Sequence, residues 1–207
     1  MKRNHLILLF IFLTVFAWSV INPKEYGTWF MEVVPAIVAV IILAATYSKF
    51  PLTTLIYTLI TIHAVILMVG GHYTYAHVPL FDWIRDEFGL SRNHYDRVGH
   101  LAQGFVPAMV AREILLRRTP LERGGWLNYI VVSICLAISA LYELIEWRYA
   151  VAAGASADSF LGSQGDIWDA QEDMAMALVG SILALALLSR VHDKFLKTLP
   201  DVPRVHP

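Results

Sequence analysis

The chain has 207 residues, 57% of them apolar and 16% charged, with a mean hydropathy of +0.56. That apolar excess lies outside the range of ordinary soluble domains and marks an integral membrane protein. A net charge of −1 supplies no basic surface for nucleic acid, and a single cysteine, Cys135, excludes an intramolecular disulfide or a cysteine-rich zinc centre.

Apolar runs long enough for a hydrocarbon core of about 30 Å fall at Leu6 to Ile21, Trp29 to Tyr47, Leu52 to Val69, Val98 to Leu116, Trp126 to Glu146 and Asp173 to Leu188. They predict an all-α, polytopic fold, a six-transmembrane-helix bundle. Lys2-Arg3 before the first run and Ala17-Trp18-Ser19 near its end loosely fit a cleaved signal peptide. Val20 and Ile21 carry the run past that cut, which favours a retained span. Pro35 and Pro107 fall inside spans, where proline kinks a helix or frees a carbonyl. Between the third and fourth spans Leu80, Phe81, Ile84 and Phe88 recur at helical spacing with charges between them, which predicts a short interfacial helix in an external loop. Residues 1–198 read as one membrane domain, and 199–207 as a disordered cytoplasmic tail.

Cytoplasmic loops collect Lys and Arg. With the N-terminus inside, only Lys24, Arg85, Arg92, Arg97 and Arg148 remain outside, against eleven of the 16 Lys and Arg inside. Both termini are therefore expected in the cytoplasm.

This threading brings Asp96, His100, Glu143, Glu146, Asp169 and Asp173 to the external helix ends. At 3.6 residues per turn, Asp96 and His100 lie about 40° apart, Glu143 and Glu146 about 60°, and Asp166, Asp169 and Asp173 within about 60° if the helix begins that early. Such paired stripes are the phases of metal-binding bundles. A carboxylate and imidazole set without thiolates suits zinc, manganese, iron, magnesium or calcium. The six named above form the ligand pool, with His72, His94 and Asp166 as secondary candidates. Arg97 and Arg148 offer a grip on an anion or lipid phosphate, and Arg92 a further neutralising charge. Bland readings stand beside these: Asp169 and Asp173 favour a helix N-terminus that Asp166 caps, Glu143 and Glu146 can pair with Arg148 or Arg97, His72, His77 and His94 are loop residues, and Glu32 is interfacial. His63, deeper in its span, is expected to hydrogen-bond a neighbouring helix, and Glu113 to sit at the cytoplasmic interface beside Arg117.

At Asn93-His94-Tyr95-Asp96-Arg97-Val98-Gly99-His100, at Tyr142-Glu143-Leu144-Ile145-Glu146-Trp147 and at Gly165-Asp166-Ile167-Trp168-Asp169-Ala170-Gln171-Glu172-Asp173, the sequence resembles the YjdF-type family of bacterial inner-membrane proteins over nearly its whole length. That resemblance implies a six-helix architecture and an inner-membrane location, and no particular reaction. A more distant likeness is to VanZ-like membrane proteins, whose pattern would fall on Asp96 and His100, on Glu143 or Glu146, and on Asp169 with Asp173. Asp173 stands where that pattern has Asn, and Gly180 lies further downstream than it requires. The likeness points towards the cell envelope.

The leading expectation is a membrane enzyme that uses a divalent metal ion to hydrolyse or transfer a group on a lipid-linked envelope substrate, with one carboxylate left as general base. An ion- or proton-coupled transporter is the alternative, and polar residues continuing down to the inner face would favour it. A non-catalytic membrane scaffold is the third.

Overall fold

The computed structural model describes residues 3–153 and 164–199. Among these residues there are seven helices and no strands: α1 Arg3–Ser19, α2 Tyr26–Thr46, α3 Thr54–Tyr73, α4 Pro79–Phe88, α5 Tyr95–Arg118, α6 Gly125–Ala153 and α7 Asp169–Leu196. Four of them, α2, α3, α6 and α7, are long and apolar enough to cross a membrane. The six-run count of the sequence adds α1, apolar but only 17 residues long, and α5. With 24 residues, α5 spans about 36 Å, yet it carries Asp96, Arg97, Arg112, Glu113, Arg117 and Arg118. The expected tail lies, apart from Leu199, outside the described residues.

Several helices outrun the apolar stretches that predict them. The fourth begins at Tyr95 rather than Val98, the fifth continues past Glu146 to Ala153, and the last runs from Asp169 to Leu196. Hydropathy falls at the first charged residue, whereas the backbone ladder continues through an interface. Arg148, expected in a loop, is therefore helical. Asp166, expected in phase with Asp169 and Asp173 on one helix, precedes α7. The helix expected around Leu80 to Phe88 forms as α4, with Pro79 at its start and Gly89 in the left-handed region (φ 62°) at its end, where the Gly89 N–H bonds the Arg85 carbonyl.

The closest helix pair is α5 with α7. A Cβ on Gly104 would stand 1.8 Å from the Ala177 carbonyl oxygen, and one on Gly180 would stand 2.1 Å from that of Leu101, so the two backbones touch where neither carries a side chain. This is the small-residue packing that membrane helices use in place of a hydrophobic driving force. Helix α3 packs on α1, α2 and α5, and α6 on α5 and α7. Leu52, Ile56, Met109, Leu127, Val131 and Cys135 bury one apolar cluster, and Phe12, Trp29, Val33 and Met68 a second. The first helix is tied in by polar contacts as well: His5 Nδ1 lies 2.8 Å from the Tyr47 hydroxyl and Nε2 3.0 Å from Thr54 Oγ1. Along their lengths α2 and α6 do not pack on each other.

Replacing Gly104 by Ala forces α5 and α7 apart, an overpacking expected to cost about 3 kcal/mol or more. Gly125→Ala, whose Cβ would meet nothing within 4 Å, should leave the thermal unfolding midpoint in detergent unchanged while Gly104→Ala lowers it.

Candidate functional site at the acidic helix ends

Two arginines organise the acidic residues. Arg92 precedes α5 and Arg97 lies in its first turn. Arg92 NH1 donates to Asp169 Oδ1 at 2.7 Å and reaches Asp166 Oδ2 at 3.4 Å, while its NH2 lies 3.7 Å from Asp96 Oδ2. Arg97 donates to Asp173 Oδ1, to Glu172 Oε2 at 2.6 Å and to Asp166 Oδ2 at 3.3 Å, and its NH2 lies 3.2 Å from Asp169 Oδ1. Arg97 thus belongs with the carboxylates. Arg148 does not share their contacts: it is exposed, with its guanidinium 5.6 Å from the centroid of the Trp147 ring.

The loop geometry that aims Arg92 is built around Asn93, which is fully buried. Its backbone N–H and carbonyl exchange two 2.9 Å bonds with the Gln164 side chain, and its Nδ2 donates to the Val78 carbonyl and to Asp82 Oδ1. One residue therefore joins α4, the start of α5 and the approach to α7. Asp166 closes that approach by accepting from the Trp168 N–H at 2.9 Å.

Beneath the arginines lies His100. Its Nε2 is 3.4 Å from Asp96 Oδ1 and 3.7 Å from Asp173 Oδ2. Each of those two carboxylates therefore gives one oxygen to an arginine and turns the other towards the imidazole. Asp96, His100 and Asp173 are all buried, with one ligand atom from each lying within 4.8 Å of the others. Ligands at about 2.0–2.2 Å from a tetrahedral ion stand roughly 3.4 Å apart, so these separations suit a small divalent cation. Glu143 Oε1 lies 3.8 Å from His100 Nδ1, beyond hydrogen-bond range, and neither atom has a hydrogen-bond partner. A protonated His100 held between two carboxylates is the other arrangement that this geometry accommodates.

A second layer faces a cavity of about 570 Å³, lined at its polar end by Glu32, His63, Asp96, His100, Tyr142 and Glu146. The Tyr142 hydroxyl donates to Glu32 Oε2 at 3.4 Å, which is how Glu32, expected at the interface, comes to be buried. Tyr75 reaches the same place by an unusual route. Thr74 and Tyr75 both adopt positive φ, 56° and 51°, a conformation uncommon outside glycine. The turn throws the Tyr75 ring back between Gly70 and Gly99, where added Cβ atoms would stand 2.4 and 2.9 Å from it. Burial, and next the Glu32 carboxylate beside it, push the Tyr75 phenol well above its usual range, so it keeps its proton. His63 Nε2 is buried without a hydrogen-bond partner, in contrast to the interhelical bond expected for it.

Two further histidines read as loop residues have other surroundings, and His72 proves to be helical, in the last turn of α3. His72 Nδ1 lies 3.0 Å from the Ser19 carbonyl and its ring 4.4 Å from that of Trp18, so its partners are on α1. His94 is half-buried just before α5 and makes no capping bond.

At the opposite, basic end Glu113 forms the expected pair with Arg117, at 2.8 Å, within a network that spacing does not disclose. Glu113 also accepts from Thr53 N, Thr53 Oγ1 and His192 Nε2 at 2.7–2.9 Å. Arg112 NH1 stands 2.8 Å from His192 Nδ1, and its NH2 donates to Asp193 at 2.8 Å. A guanidinium can only donate, so Nδ1 of His192 accepts and the proton sits on Nε2, aimed at Glu113.

Removing one partner of a buried ion pair strands the other charge, at about 3–5 kcal/mol. Arg97→Met should therefore lower the thermal midpoint in detergent strongly, and Asp173→Asn in that background should recover part of the loss. Arg85→Met, which removes surface contacts to the half-buried Asp82 and the exposed Asp86, should lower the midpoint far less than Arg97→Met.

Comparison with known proteins points to a membrane protein as well. A family model described as "Predicted membrane protein (DUF2238)" matches residues 4–194. The chain is 49% identical over 183 residues to the "Inner membrane protein YjdF" of Escherichia coli (strain K12), covering 88% of each. No solved structure matches it. The chain belongs to the DUF2238 family of membrane proteins and resembles the YjdF inner-membrane protein across most of its length.

Proposed function

We propose that α1, α2, α3, α5, α6 and α7 are six spans of a bacterial inner-membrane protein with both termini in the cytoplasm and α4 lying in the outer interface. The Lys and Arg distribution supports that orientation, and the exposed Leu80, Trp83 and Phe88 of α4 support its place among lipid headgroups. The two spans beyond the four most apolar ones rest on compensation: α5 carries its charges, but Asp96, Arg97, Arg112 and Glu113 are paired within the bundle. Unpaired, each would cost about 2.5–3.5 kcal/mol at a helix centre.

At the external end we read a divalent-metal site in an enzyme that hydrolyses or transfers a group on a lipid-linked envelope substrate. The observation that carries this reading is the pair of carboxylate oxygens, Asp96 Oδ1 and Asp173 Oδ2, that face His100 Nε2 while their sister oxygens are engaged by Arg92 and Arg97. Asp96, His100 and Asp173 would hold the ion, whose contribution when bound is to polarise an ester or phosphoryl oxygen and to lower the pKa of a water. Glu143 Oε1, unpaired in the same space, is the group positioned to accept that water's proton. Glu146 and Asp169 support the ion through charge rather than contact: Asp169 is already engaged by both arginines, and Glu146 faces the cavity. Arg97 orients Asp173 and stands next to any anionic group brought to the ion.

His63 favours the proton-coupled alternative, since an unpartnered embedded imidazole suits a relay. Between it and the Glu113 network, however, the cavity is lined by Ala39, Leu43, Val106, Val110 and Ala111, which offer no side-chain proton carrier.

Elemental analysis of protein purified in mild detergent without chelator tests the leading reading. Near-stoichiometric zinc, manganese, iron, magnesium or calcium in the parent, lost from folded Asp173→Asn and His100→Ala variants, is the expected outcome. Metal absent after challenge with each of these ions would sink it and leave the proton-coupled reading or a structural polar core.

A further inference from the structure

We propose that the groove between α2 and α6 is a binding site for one hydrocarbon chain of a membrane amphiphile, which enters sideways from the bilayer and brings a hydroxyl-bearing polar group to Glu32, His63 and Tyr142. The proposal deepens the enzymatic reading by naming where the substrate's chain lies, and relies on that reading only for what happens to the polar group.

The groove exists because α2 and α6 are held apart. Helices α3 and α5 form its floor, and the Tyr142–Glu32 bond bridges it at the acidic end. Its lining runs from Glu32 to Thr46 on α2, fourteen helical steps and so about 21 Å, longer than the roughly 15 Å hydrocarbon depth of one leaflet. Small side chains, Ala36, Ala39 and Ala111, keep the channel open, and Pro35 and Pro107 both line it. Ile42, Ile114 and Ile138 stand at the lips and are 55%, 41% and 40% exposed, so the opening faces the side of the bundle, where lipid lies.

Chemistry selects the occupant. Below Gln103 the walls are apolar except for Thr46, whose hydroxyl already donates to the Ile42 carbonyl, and they offer an extended peptide almost no partners for its backbone, each unpaired group of which costs several kcal/mol in such surroundings. A hydrocarbon chain needs none. The polar end, in contrast, presents acceptors and donors together: the Glu32 carboxylate, the Tyr142 phenol and a His63 Nε2 that has no hydrogen-bond partner. Apolar length joined to a small polar head is the complement of a single-chain amphiphile. Pockets of about 300–1,000 Å³ bury most of a drug-sized ligand, and 570 Å³ falls within that range.

The test uses the full chain reconstituted in phosphatidylethanolamine and phosphatidylglycerol vesicles, with a long-chain monoacylglycerol carrying a mid-chain diazirine as the probe. Irradiation and peptide mapping should place the label on groove residues such as Ala39, Leu43, Val110 and Ile138. Ala39→Trp should reduce that labelling about tenfold, the effect of 1.4 kcal/mol in binding. Ala111→Phe blocks the groove from its floor, so the test survives if either variant fails to fold. Asp173→Asn, which removes the metal reading, should leave the labelling intact. Label spread over outward-facing Phe10, Ile41 and Leu141 and insensitive to both plugs would overturn the proposal in favour of bulk lipid contact. Groove residues left unlabelled in a dimeric protein, and labelled only once dilution separates the two copies, would overturn it too. Metal without groove labelling defeats this proposal alone, and labelling without metal defeats the metal reading alone.

Discussion

The contact on which the rest of the molecule depends is backbone against backbone, at Gly104 with Ala177 and at Gly180 with Leu101. It sets α5 and α7 so close that charged side chains above and below it meet across the pair. At the acidic end Arg97 reaches Asp169 and Asp173, and at the basic end Arg112 reaches His192 and Asp193. Low surrounding dielectric makes such pairs strong when complete and expensive when broken. An α5 bearing this much charge is compatible with a membrane interior only as half of that pair.

The helical spacing of Asp96 with His100, and of Asp169 with Asp173, is legible in the sequence because phase along one helix is local information. Partners across the bundle are not. His192 lies 79 residues from Glu113 and no periodicity links them. Glu32 reads as interfacial because it sits close to the end of its apolar run, and only the Tyr142 hydroxyl on another helix shows that it faces inward. Tyr75 carries no signal at all, since two consecutive left-handed residues without glycine are not anticipated by turn propensities. The arginines are legible as charge and not as geometry: Arg97 and Arg148 look alike in sequence, yet one sits among carboxylates and the other over a tryptophan.

The acidic site divides labour between its two layers. Arg92 and Arg97 fix the carboxylates and absorb much of their charge, and Asn93 with Gln164 fixes the backbone from which Arg92 projects. What is left facing His100 is a small set of oxygens whose number and direction are determined from above. Below it, the carboxylates of Glu32 and Glu146 and the phenols of Tyr75 and Tyr142 gather at one end of a largely apolar cavity. A ligand spanning the two would experience a steep change of polarity within a few ångströms.

The ion pairs at both ends of α5 and α7 also decide which parts of the protein can move. Arg97 and Arg112 are fifteen residues apart, about 22 Å along the helix, and each is pinned to the same neighbour. Sliding α5 past α7 by even one turn would break both sets at once, so these two helices behave as a single beam. Helix α2, by contrast, is packed on α3 and meets α6 through the Tyr142 hydroxyl, a bond that is long for a hydroxyl donor and correspondingly weak. Separating α2 from α6 would therefore widen the groove without disturbing any of the ion pairs between α5 and α7.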